Sequence, residues 1–116
     1  MVYNSSMFSD DDQRMTEPFS TFNSKTFADQ LNTAFSAQLP EASVPLELIE
    51  VAEKPAPANT ELFTLHFRGP IRPFLQQRTY SFQHDKLGAF ELFITAIGQD
   101  QQSIIYEAVF HRAPKL

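Results

Sequence analysis

The second half of the chain is cut into short apolar runs by glycine and proline: LFTLHFRGP from Leu62, TYSFQHDKLGAFELFITAIG from Thr79 and SIIYEAVFHR from Ser103. Each run has strand length, is rich in aromatic and β-branched residues, and ends on a turn signal. The pattern reads as a sheet, and no nucleophile, ligand cluster or phosphate loop accompanies it.

These strands can be placed in register from their own side chains. With Phe82 opposite Phe90 and Tyr80 opposite Leu92, residues Asp85, Lys86 and Leu87 form a three-residue loop closed by Gly88, which tolerates positive φ. With Phe90 in turn opposite Phe110, Leu92 meets Ala108, Ile94 meets Tyr106 and Ala96 meets Ile104, leaving Gly98 to Gln102 as the second loop. Every pair on that face is apolar, and a slip of one residue would turn Glu91 and Glu107 to the core. Phe82, Phe90 and Phe110 are therefore expected in one core cluster.

The opposite face of the same sheet is mixed. Glu91, Phe93, Thr95 and Ile97 on one strand lie beside Ile105, Glu107, Val109 and His111 on the next. A sheet with one solvated face alternates cleanly between apolar and polar, so Phe93, Ile97, Ile105 and Val109 are expected to be covered. A short helix, the N-terminal arm or a partner subunit could cover them, and these four residues form the candidate interface.

The helix is expected from Ser24, with Ser24 or Thr26 as N-cap and Asp29 as a capping-box partner. Phe27 and Leu31 share its apolar face over two turns. A first strand follows, with Phe35, Ala37 and Leu39 alternating. Pro40 to Ser43 make a turn, and Val44 to Ala52 read as a second strand with Pro45 at an edge or a start. Lys54 to Asn59 is a proline-stiffened loop before the strand Glu61 to Arg68, and Pro70 to Arg78 is an irregular crossover. Residues Met1 to Asn23, rich in Ser, Asp, Asn and Gln, read as a flexible N-terminal arm, although Met7, Phe8, Met15, Phe19 and Phe22 give it apolar points that could dock. Residues 24–116 read as a single β domain.

Composition narrows the function classes. Twelve phenylalanines and no tryptophan favour aromatic packing between layers, and the absence of cysteine excludes disulfides and thiolate metal sites. A net charge of -5 with nine scattered basic residues argues against nucleic acid, since counterion release needs clustered lysine and arginine. No basic and apolar leader opens the chain, and no window has the length to cross a bilayer, so membrane insertion is not expected and the cytoplasm is the default location.

Candidates for chemistry are few. His84 beside Asp85 is the one close pair, and sequence neighbours at a hairpin end point in different directions; Asp85 making an Asx-type turn explains it without catalysis. Three histidines without cysteine would form a metal site only if three strands converged, so no metal and no cofactor is expected. Arg68, inside a strand, needs a carboxylate such as Glu107 or Glu91, or else contacts a ligand anion.

The run from FRGP through H-x-x-LG-x-FE-x-F to YEAVFHR resembles the DUF6916 family of small bacterial domains, with TFADQLNTAF resembling its leading helix and first strand. The resemblance covers Ser24 to Arg112, and His111 stands where the family more often has asparagine. It implies no catalytic residue; members resembling it occur near genes for phage-tail-collar-like proteins, which implies an accessory role on a surface or fibre.

The expected architecture is thus mainly β, with about six antiparallel strands in a small barrel or sandwich and one short N-terminal helix. The expected function is a non-catalytic interaction or assembly module that binds a protein partner or itself. A small-ligand-binding barrel is the alternative and would need an interior cavity; a hydrolase stands third.

Overall fold

In the computed structural model, residues 22–58 and 60–112 are described. They form helix α1 (Ser24–Ala28) and strands β1 (Ala34–Gln38), β2 (Ser43–Glu53), β3 (Glu61–Pro70), β4 (Arg78–His84), β5 (Gly88–Gln99) and β6 (Ser103–Arg112). All pairings are antiparallel, and the six strands close a barrel in the order β1-β2-β3-β6-β5-β4. Of the two expected architectures, barrel and sandwich, the chain adopts the barrel. Most of the expected arm lies outside the described residues, but Phe22 and Asn23 belong to the domain.

Closure uses the shortest strand. β1 pairs along its whole length with β2 but meets β4 through only Ser36↔Gln83 and Ala37↔Phe82. The first hairpin has the expected register, with Phe82↔Phe90 and Tyr80↔Leu92, and Gly88 has φ of 80°. The second does not. Ala96 lies opposite Tyr106 rather than Ile104, and the ladder then skips Ile97 and resumes at Gly98↔Ile105 and Gln99↔Ile104. The β5 ladder runs from Thr95↔Glu107 to Gln99↔Ile104 and does not pair Phe90 with Phe110, which on its other side lies opposite Phe63 of β3.

Asp100 accounts for the difference. Its carboxylate accepts the Gln102 and Ser103 amides, both at 2.8 Å, and the Ser103 hydroxyl at 3.1 Å, while its own N–H donates to Ser103 O. This Asx-type turn places Ser103 at the start of β6, and the β-bulge at Ile97 absorbs the odd residue. Up to Ala96 the ladder is displaced by two residues, an even step that keeps inward residues inward while their partners change; beyond the bulge Ile104 is displaced by three, from Ala96 to Gln99.

The barrel interior is filled. Phe35, Leu46, Leu48, Phe63, Leu65, Phe67, Phe82, Phe90, Tyr106 and Phe110 are all buried inside it. One end is stoppered by Phe27, whose ring centroid lies 5.4–6.4 Å from those of Phe35, Phe63, Phe90 and Phe110. Phe22 then packs edge-on over Phe27 and Phe90 at 5.5 and 5.4 Å. The crossover between β3 and β4 supplies buried Leu75, whose N–H donates to the Tyr106 hydroxyl at 2.9 Å. Aromatic pairs at these separations add to the area term of burial, so the interior is held by ring packing from several strands at once.

Helix α1 is shorter than expected and capped differently. Asn23 is the N-cap, accepting the Thr26 N–H at 2.9 Å while Thr26 Oγ1 accepts the Asn23 N–H at 3.1 Å. Asn, Ser and Thr cap about equally well, so the string N-S-K-T does not distinguish them. The helix ends at Ala28 with Asp29 as its C-cap, and after the following turn Asn32, left-handed at φ 66°, hands its N–H to Leu48 O of β2 at 2.7 Å. Phe27 points into the barrel, and Leu31 remains 38 % exposed. The helix therefore stoppers the barrel and does not cover the outer face of β5 and β6.

Candidate functional site

Three of the four candidate interface residues stand open. Phe93 is 52 %, Ile97 50 % and Val109 54 % exposed, all on the outer surface of the neighbouring strands β5 and β6. Ile105, half-buried, sits between Gly98 of β5 and Arg68 of β3. The bulge at Ile97 lets β5 bend without turning this side chain inward, as bulges do. Large apolar side chains grouped on one face are the informative kind of exposure, whereas single ones are ordinary. Phe74, 54 % exposed on the crossover, was not singled out by any strand pattern.

A polar chain borders this stripe. His66 of β3 bridges two carboxylates, with Nδ1 3.0 Å from Glu50 Oε1 of β2 and Nε2 3.0 Å from Glu107 Oε2 of β6. The register puts Glu50, His66, Glu107 and Thr95 in one row across four strands. Glu107 lies between Ile105 and Val109 along β6, but its carboxylate is drawn towards β3. On the β5 side the residue opposite Glu107 is the uncharged Thr95.

Arg68, the expected anion contact, does not pair with Glu107 or Glu91. Its Nη1 lies 3.8 Å from Glu47 Oε1, and both side chains are well exposed. Arg68 also lines a shallow cleft of about 290 Å³ with Pro45, Leu46, Gly69 and Ser103. Asp100 is within its electrostatic reach; hydrogen bonds from Gln102 and Ser103, more than Arg68, hold that carboxyl below its ordinary 3.8. With Glu47 and Asp100 close by, the guanidinium already has anionic company.

The histidines are committed elsewhere. His66 spends both ring nitrogens on carboxylates. His84, 8 % exposed at the end of β4, accepts the Lys86 and Leu87 N–H groups at Nδ1 and meets Thr33 Oγ1 at Nε2. The turn-capping task expected of Asp85 thus falls to His84, whose Nδ1 at the strand end accepts the Lys86 and Leu87 amides. The Thr33 hydroxyl beside His84 Nε2 donates its hydrogen to Gln30 O at 2.7 Å and so does not present it to the ring. His111 is exposed on the outer face. Among the described residues no group of three or more His, Asp or Glu side chains is arranged to hold a metal, and no helix is long and apolar enough to cross a membrane.

Over residues 22–110 the chain matches the model of the domain of unknown function DUF6916, and it belongs to that family. No curated protein and no solved structure matches it.

Proposed function

We propose that this DUF6916 member is a non-catalytic assembly module that pairs with a second copy of itself through the outer face of β5 and β6. The observation that carries this reading is the exposure of Phe93, Ile97 and Val109 on adjacent strands of a barrel whose interior is already filled. An interior ligand, the alternative function, would have to displace several buried phenylalanine rings. The stripe is also self-complementary in charge. Glu91 lies at its Phe93 end and Arg68 at its Ile105 end. A two-fold axis running across the strands lays the Glu91 end of each copy over the Arg68 end of the other, and the same patch serves both subunits. As a subunit of this kind the module would be an accessory part of a phage-tail-like or surface fibre system, which is what the family resemblance implies.

Light scattering over a concentration series tests the reading on the full chain. The expected result is a mass of twice 13.2 kDa for the wild type. Phe93→Asp should give a folded monomer with an unchanged circular dichroism spectrum. A wild type that stays monomeric to millimolar concentration, or a Phe93→Asp variant that still dimerises, overturns it.

A further inference from the structure

The barrel closes where β1 meets β4 through two residue pairs, and His84 stands at that seam. Its hydrogen bonds join three segments. The Thr33 hydroxyl, in the linker between α1 and β1, donates to Gln30 O at 2.7 Å, so its lone pairs face His84 Nε2 at 2.8 Å. On the other side of the ring the Lys86 and Leu87 N–H groups, at 3.0 and 3.3 Å, both point at Nδ1. Backbone amides can only donate, so Nδ1 must carry the lone pair and Nε2 the hydrogen. The tautomer is thereby fixed, and the ring packs 4.3 Å from that of Phe35 in the core.

We propose that His84 is an acid-released latch on the closing seam of the barrel, which lets go of the β4–β5 turn when Nδ1 gains a hydrogen. A hydrogen there would face two N–H donors, so the imidazolium cannot occupy the same position and the ring must leave the turn. A polar dent of about 150 Å³ lined by Ala34, Ser36, Gln83, His84 and Asp85 opens beside the ring and gives protons a route. The charged groups facing His84 are Asp85, which favours the imidazolium, and Lys86, which opposes it; burial outweighs both and holds the ring below its ordinary 6.5. The sign follows. A histidine depressed in the folded state contributes stability that is complete above 6.5 and is lost as pH falls through the folded value.

Nitrogen-15 NMR of the imidazole rings and amide exchange on the full chain test the latch. Near neutral pH the His84 Nδ1 resonance should be that of an unprotonated nitrogen. As the pH drops below 6.5, the protection of the Lys86 and Leu87 amides should fall by up to about tenfold per pH unit, in step with His84 titration. His84→Asn, whose carboxamide oxygen can accept the same amides without titrating, should keep the turn and abolish the pH dependence. A protonated Nδ1 at neutral pH, amide protection indifferent to His84 titration, or an equal loss in His84→Asn overturns the proposal. The wild-type spectra decide the matter even if the variant does not fold.

Discussion

Phe27 is the residue on which the account of the barrel end is most exposed to test. Its ring is fully buried and meets five others, those of Phe22, Phe35, Phe63, Phe90 and Phe110. Truncation of a buried phenylalanine to alanine costs about 3–5 kcal/mol, part of it lost transfer energy and part the cavity left behind. Here the surrounding rings are fixed on four strands and cannot collapse inward, which argues for the upper half of that range. Phe22, partly buried at the rim, can swing towards the gap and offsets some of it. About 4 kcal/mol is the working figure for Phe27→Ala. With a urea slope of about 1–2 kcal/mol per molar, the unfolding midpoint should fall by about 2–4 M. Leu31→Ala, on the exposed side of the same segment, should cost about 1 kcal/mol or less. The opposite order, a mild Phe27→Ala and a damaging Leu31→Ala, is what a helix lying on the outer sheet would give, and it would refute the stopper.

Gly69 lies against Leu46, so an added methyl would overlap Leu46 Cδ2 and come within 3.4 Å of Tyr106 Cε2. Gly69→Ala should therefore destabilise by about 1–3 kcal/mol in urea unfolding, and Leu46→Val in the same chain should recover part of the loss. Asp100, held below 3.8 by the Gln102 and Ser103 amides, supports the second hairpin fully above that value and loses its effect as pH falls through the folded one. The stability difference between wild type and Asp100→Ala should accordingly shrink in acid melts, and a difference that stays constant or grows would contradict the turn.

The parts of this fold legible in the sequence are those in which one residue type has one job. Gly88 announced a left-handed turn, and the alternation around Phe82 and Phe90 placed the first hairpin correctly. Alternation fixes the face but not the partner. Phe90 and Phe110 are both apolar and suit one another, but the ladder set by Asp100 and the Ile97 bulge is displaced by two residues up to Ala96 and by three beyond it. The place of Phe27 is open in the sequence for a related reason. A single turn of helix with an apolar side chain fits either an outer sheet or an open barrel end, and only closure of the strands creates the latter. Leu75 was similarly hidden, since the prolines around it mark a loop without saying that the loop folds over the core. The His84 contacts were beyond reach, because Thr33 lies 51 residues away in sequence.

Glu107 links the filled interior to the outer face. A six-stranded barrel is narrow enough for its own side chains to occupy it, and here they do. On β6 a carboxylate between Ile105 and Val109 would ordinarily keep such a stripe hydrated. His66 holds that carboxylate 3.0 Å from Nε2, on the β3 side, and Glu50 holds the other face of the imidazole. The chain of three therefore does two things at once. It satisfies polar groups that the strand pattern puts on the outer surface, and it clears Phe93, Ile97 and Val109 of a charge that would otherwise lie across them. An apolar centre bordered by fixed polar groups is the usual build of a protein interface. The bordering carboxylates and imidazole come from β2, β3 and β6.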